Sequence, residues 1–169
     1  MKYSKELDMY QPVIGWFQSF LRGKIRRARV EVHDTHSSSL NKYVHQNGLQ
    51  SYFDSDLWQT FDIRVDVTAF VAAPRVKGLA FVECKTKPIA LRDVSQMLGY
   101  SRVAVPLYSY VLSPAGISGV VKSLVLEYDR IDVLEYDWSS GQIPKRIVLG
   151  RWDPVVQALD ATSVLPPGT

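Results

Sequence analysis

The chain has 169 residues, 46% of them hydrophobic and 22% charged, which suits one soluble globular domain and leaves too little for two. No apolar run approaches the ~20 residues that span a bilayer, and the start, Met1 to Glu6, has no apolar signal core, so a cytoplasmic location without membrane contact is expected. The single cysteine, Cys84, excludes an internal disulfide, His33, His36 and His45 lack zinc-ligand spacing and read as solvated loop residues, and the net charge of +3 is a weak pull toward anionic partners.

Ser4 is a good N-cap, and Leu7, Tyr10, Ile14, Phe17 and Leu21 follow at three- and four-residue steps, the stripe of an amphipathic helix. Pro12 falls inside this pattern, so the helix either kinks or starts near Gln11 with Glu6 on a preceding turn. Glu6 is then either an exposed first-turn acid favoured by the helix dipole or a site residue. Arg22 to Arg29 carries five cations in eight residues; Gly23 ends the helix, and Ile25 to His33 reads as the first strand. The polar stretch Asp34 to Asp56 has one short helical pattern, Leu40 to His45. Its aromatics and Trp58 interleave with Lys42, His45 and Gln50, and either pack the loop onto the domain or stack on unpaired bases.

Phe61 to Phe70 alternates with period two and reads as a strand. Gly78 to Lys85 is a second strand whose apolar run ends in Glu83-Cys84-Lys85, placing Glu83 and Lys85 on one face and Cys84 on the other. If these strands pair across Ala72 to Lys77, Asp66 comes close to Glu83. Two carboxylates and a lysine at one sheet end suit a divalent cation of the Mg²⁺ type, and so metal-assisted phosphodiester hydrolysis.

Thr86-Lys87-Pro88 breaks the strand, and Ile89 to Ala104 reads as a helix with Val94, Met97, Leu98 and Ser101 inward and Arg92, Gln96 and Tyr100 on a neighbouring stripe. Leu107 to Leu112 is the next strand, Ile117 to Tyr128 a helix, and Asp132 to Trp138 and Lys145 to Leu149 read as edge strands. Residues 1–162 form one domain, and 163–169 read as a loose tail. The expected architecture is α/β, a central mixed sheet flanked by helices with an αβββαβ core.

Asp66, then Glu83-x-Lys85, with Glu6 on the first helix and Gln96 with Tyr100 after the lysine, resembles the PD-(D/E)XK nuclease superfamily of restriction endonucleases, archaeal Holliday junction resolvases and RecB-type nucleases. The resemblance spans about Glu6 to Leu112; Val65 stands where the family name has proline, and the connection from Asp66 to Glu83 is long. It implies a restriction-endonuclease-like fold and a Mg²⁺- or Mn²⁺-dependent DNA nuclease. Asp66, Glu83 and the Cys84 carbonyl would bind the metal, Lys85 would orient water, and Glu6 and Gln96 would assist. Lys24, Arg26, Arg27, Arg29, Lys42 and Arg92 would contact DNA phosphates. Whether the DNA is duplex, branched or single-stranded stays open, as does a homodimer; the alternative is a catalytically silent nucleic-acid-binding or assembly protein on the same fold.

Overall fold

The structure is a computed structural model and describes residues 3–139, 141 and 143–169. Helix α1, Leu7–Lys24, turns Met9, Tyr10, Val13, Phe17 and Leu21 inward. Leu7, expected on this stripe, is instead exposed. The N-cap is Glu6; Ser4, expected in that role, donates from its hydroxyl to Asp8 Oδ2 at 3.0 Å. α1 continues through Pro12. The buried side chains on both sides of the proline, worth roughly 1.5–3 kcal/mol each, outweigh the ~3 kcal/mol that an interior proline costs.

Strand β1 is Arg29–Asp34 rather than beginning at Ile25. The reason is a tight turn: Arg27 takes φ 59° and the Ala28 N–H donates to the Ile25 carbonyl, so Ile25 to Ala28 are spent on reversing the chain. Helix α2, Leu40–Gln46, and two 3-10 turns, Gln50–Tyr52 and Asp56–Thr60, occupy the polar stretch. Tyr52 and Trp58 are buried there and Tyr43 and Phe53 pack against the same core, so these aromatics hold the segment on the domain.

Strand β2, Val67–Ala73, starts six residues later than the alternation at Phe61 suggests. Phe61, Ile63 and Val65 are indeed buried on one side, but the Phe61 and Ile63 carbonyls accept from the Asn41 and Leu40 N–H groups at the start of α2. The segment is extended and half-buried without being a sheet strand. β3, Val76–Cys84, pairs antiparallel with β2 around Pro74-Arg75, with Val67 opposite Val82 and Ala73 opposite Val76. Most of the stretch read as a connection is therefore ladder.

Helix α3, Leu91–Ala104, leads to β4, Tyr108–Ser113, which runs parallel to β3. Helix α4, Gly119–Lys122, continues as a π turn over Ser123–Glu127. β5, Glu135–Asp137, and β6, Lys145–Arg146, form their own two-stranded sheet. β7, Val148–Asp153, lies parallel to β4, and β8, Ala158–Leu159, pairs antiparallel with β7. The main sheet is mixed, in the order β1-β2-β3-β4-β7-β8. The expected late edge strands are thus corrected: one lies outside this sheet, and β7 is interior because Val148, Leu149 and Trp152 supply apolar cover on both faces.

The α/β class and the helix, three strands, helix, strand order are present, with α2 inserted between β1 and β2. On one face α1 packs against Val67, Ala69, Ala80, Val82 and Trp152; on the other, Tyr52 and Phe53 cover Phe70 while α3 and α4 share a core with Phe81, Val111 and Leu149. Segment 163–169, read as a loose tail, docks through Leu165, which is buried and exchanges two backbone hydrogen bonds with Leu149. Among the described residues no helix is long and apolar enough to cross a membrane.

Candidate active site

The β2–β3 register carries Asp66 and Glu83 to the same end of the sheet, one step beyond the Val67–Val82 pair. Asp66 is pinned by both oxygens: Oδ1 accepts from the Tyr10 hydroxyl at 2.7 Å and Oδ2 from the Cys84 N–H at 2.9 Å. Its backbone is fixed from the other side by Thr35, whose N–H donates to the Asp66 carbonyl at 2.9 Å and whose hydroxyl donates to the Val65 carbonyl at 2.6 Å. Thr35 Oγ1 also lies 2.8 Å from Thr68 Oγ1, and both threonines are buried. A hydrogen-bonded clasp of this kind leaves the carboxylate little freedom to rotate.

Glu83 is 3% exposed. Its Oε1 accepts from Lys85 Nζ and Gln96 Nε2, both at 3.0 Å, while Oε2 is buried with no hydrogen-bond partner. Period-two alternation places Glu83 and Lys85 on the α3 face, and the helical spacing of α3 brings Gln96 back over them, with Gln96 Nε2 also donating to the Tyr100 hydroxyl at 3.2 Å. Cys84 faces the opposite core and is fully buried. Its contribution to the site is through the backbone.

Burial, then the neighbouring Asp66 charge, push the Glu83 carboxyl up to about 7 against the pull of Lys85. Burial also raises Asp66, opposed by the Cys84 and Tyr10 hydrogen bonds. Lys85 is lowered by its own desolvation, but Glu83, and beyond it Glu6 and Asp66, lift it overall. The Tyr10 hydroxyl is held well above the usual range by burial and by its bond to Asp66. Glu6 is raised by desolvation and by Asp66 and Asp93, with Lys85 opposing. Three acids thus crowd one lysine, the electrostatic condition that a cation relieves.

Glu6 and Lys85 line a cleft of about 200 Å³ together with Lys87, Pro88, Arg92 and Asp93. Among the described residues no group of three or more His, Cys, Asp or Glu forms a ready metal cage. The donors nevertheless fit a Mg²⁺-type ion, which takes one or two carboxylates and fills its remaining positions with water and phosphate oxygens. The partnerless Glu83 Oε2, and the second lone pair on each Asp66 oxygen, are the open acceptors.

No family model, curated protein or solved structure matches the chain. The residues themselves are therefore the ground for a functional reading. Of the cations expected to meet DNA, Arg92 alone lines the site cleft. Lys42 is exposed on α2. Arg29 is exposed but engaged, 4.3 Å from the Tyr52 ring and bonded to Ser51. Arg26 and Arg27 lie with Arg75 at the opposite end of the sheet, about 20 Å away at ~3.3 Å per strand residue, and Lys24 ends α1 on that side.

Three site residues were not singled out in the sequence. Tyr10 belongs to the apolar stripe, and a hydroxyl at a fully inward helical position is the signal that it needs a polar partner. Lys87 stands in the sequence only as part of a strand break, and the structure places it on the cleft. His36 is exposed, as the sequence suggests, but its Nδ1 also sits 2.5 Å from Asp34 Oδ1 and its ring packs 5.3 Å from Tyr10, beside the Asp66 clasp. The Asp34-x-His36 spacing was the signal there.

Proposed function

We propose that the protein is a metal-dependent DNA nuclease of the PD-(D/E)XK type on a restriction-endonuclease-like fold. The observation that carries this reading is the meeting of Asp66 and Glu83 beside Lys85, with Glu83 Oε2 buried and partnerless. Mg²⁺, or Mn²⁺ in its place, held by Asp66, Glu83 and the Cys84 carbonyl, would supply charge neutralisation at the scissile phosphate and a bound water of lowered pKa.

The chain's own residues do the rest. Tyr10 and the Cys84 N–H hold Asp66 in one orientation. Gln96 and Lys85 occupy Glu83 Oε1 and so leave Oε2 as the free acceptor. Lys85, on the wall of the cleft, orients the attacking water or meets the extra negative charge of the transition state. Glu6 on the same wall holds outer waters, and Arg92 and Lys87 contact the flanking phosphates.

A second reading, a silent nucleic-acid-binding or assembly protein, is favoured by one observation: both Asp66 oxygens already have partners. Metal titration and cleavage of labelled DNA separate the two. Asp66→Ala should abolish Mn²⁺ binding and cutting while DNA binding persists; wild-type protein that binds DNA but takes up no metal would support the silent reading.

A further inference from the structure

An arginine cleft lies at the end of the sheet opposite Asp66 and Glu83. Arg26 and Arg27 come from the α1–β1 turn and Arg75 from the β2–β3 turn. With an apolar floor from Ile25, Pro74 and Val76 they line an open cleft of about 550 Å³. All three arginines are exposed, and none is in an ion pair among the described residues. Asp54 on the adjoining surface is bound to Lys77 at 3.0 Å.

The whole chain has a formal net charge of +3, yet this cleft gathers three positive charges with no acid in its lining. Like charges brought together from two separate turns repel one another until an anion joins them. Arg27 moreover holds φ 59°, a left-handed conformation that is strained for a non-glycine residue. Guanidinium forks match phosphate oxygens two at a time. The cleft is open and has no buried polar cage that would select a single small anion. Several exposed cations in a row suit a polyanion, which gains affinity by releasing its condensed counterions.

We propose that this cleft is a second binding site for nucleic-acid backbone phosphates, about 20 Å from the candidate catalytic end. At ~3.4 Å per base pair the separation corresponds to about six base pairs of duplex, short enough for both ends of the domain to meet one DNA molecule. The site extends the proposed function to a new surface and does not require hydrolysis.

Binding of a labelled duplex of about 20 base pairs, measured by fluorescence anisotropy in chelator over a salt series, tests it. Wild type is compared with Arg26→Gln, Arg27→Gly and Arg75→Gln combined; Arg27→Gly also relieves the left-handed backbone, and urea denaturation checks that the variant is folded. At ~0.9 per phosphate contact, the log–log salt slope should become shallower by about 2 to 3 and affinity should fall at least about tenfold. Arg26→Lys with Arg75→Lys should keep most of the slope, because the charge is retained. An unchanged slope in the folded triple variant, or no binding by wild type, overturns the inference. Cleavage with Mg²⁺ is scored separately: arginine-dependent binding without cutting leaves this site standing and removes the nuclease reading, while cutting with arginine-independent binding does the reverse.

Discussion

Raising the pH of the metal-free protein from about 5 to about 8 should weaken the fold, and Glu83 is the main cause. Its carboxyl sits at about 7 in the folded state against an ordinary 4.5, because burial and Asp66 both oppose ionisation. A group raised by folding stabilises fully below its unfolded value and loses that stabilisation as the pH climbs through its folded value. The gap from 4.5 to about 7, at about 1.4 kcal/mol per pH unit, amounts to about 3 kcal/mol. Asp66 and Glu6 are raised too and add in the same direction. Glu31, Glu135, Asp137 and Asp160 are lowered and lose their contribution only as pH falls below this window.

Urea denaturation at both pH values, in chelator, measures the difference, and Glu83→Gln isolates it. The variant should lose most of the wild type's pH dependence and should match or exceed wild-type stability at pH ~8, because it lacks the carboxylate charge that wild type buries at that pH. Saturating Mg²⁺ should restore wild-type stability at pH ~8 by mass action and leave Glu83→Gln nearly unmoved. If wild type and Glu83→Gln show the same pH dependence and neither responds to Mg²⁺, the electrostatic account of the site is wrong.

Other residues make narrower tests. Tyr10→Phe removes the hydroxyl that holds Asp66 Oδ1 and should cost about 1–2 kcal/mol in urea denaturation. It should also weaken Mn²⁺ binding, which a purely structural role would leave alone. Thr35→Val strips two hydrogen bonds from a buried clasp and should lower stability by about 1–3 kcal/mol, seen as a lower thermal midpoint. Gln96→Ala removes one of the two donors to Glu83 Oε1, leaving Lys85, and should slow cleavage about tenfold or more with little change in DNA affinity; an unchanged rate would remove Gln96 from the site.

The sheet end that holds the candidate site was legible in the sequence because an apolar run closing on Glu83-Cys84-Lys85 can be little else than a buried strand delivering polar groups to one end. The pairing partner was legible through Asp66, although β2 begins only after it. Phe61 to Val65 misled because an extended segment docked on a helix start buries alternate residues just as a strand does. β7 reads as an edge in the sequence because the polar residues of the short β6, Lys145–Arg146, interrupt its apolar pattern.

Long-range convergence was less accessible. Tyr10 meets Asp66 across 56 residues, and the basic run from Arg22 to Arg29 could be counted but not located. The α1 length and the left-handed turn at Arg27 carry its middle arginines to the hairpin tip beside Arg75. Charge in a sequence states a sum; the fold decides which charges share a surface.

The most direct test is cleavage of a labelled DNA panel, duplex, single strand, flap and four-way junction, with Mg²⁺, Mn²⁺ or chelator, by wild type, Glu83→Ala and Lys85→Ala. Metal-dependent cutting by wild type, reduced at least about 100-fold in both variants while DNA binding is retained, is the expected result. Folded wild-type protein that binds the panel and cuts none of it with either metal would contradict the nuclease reading.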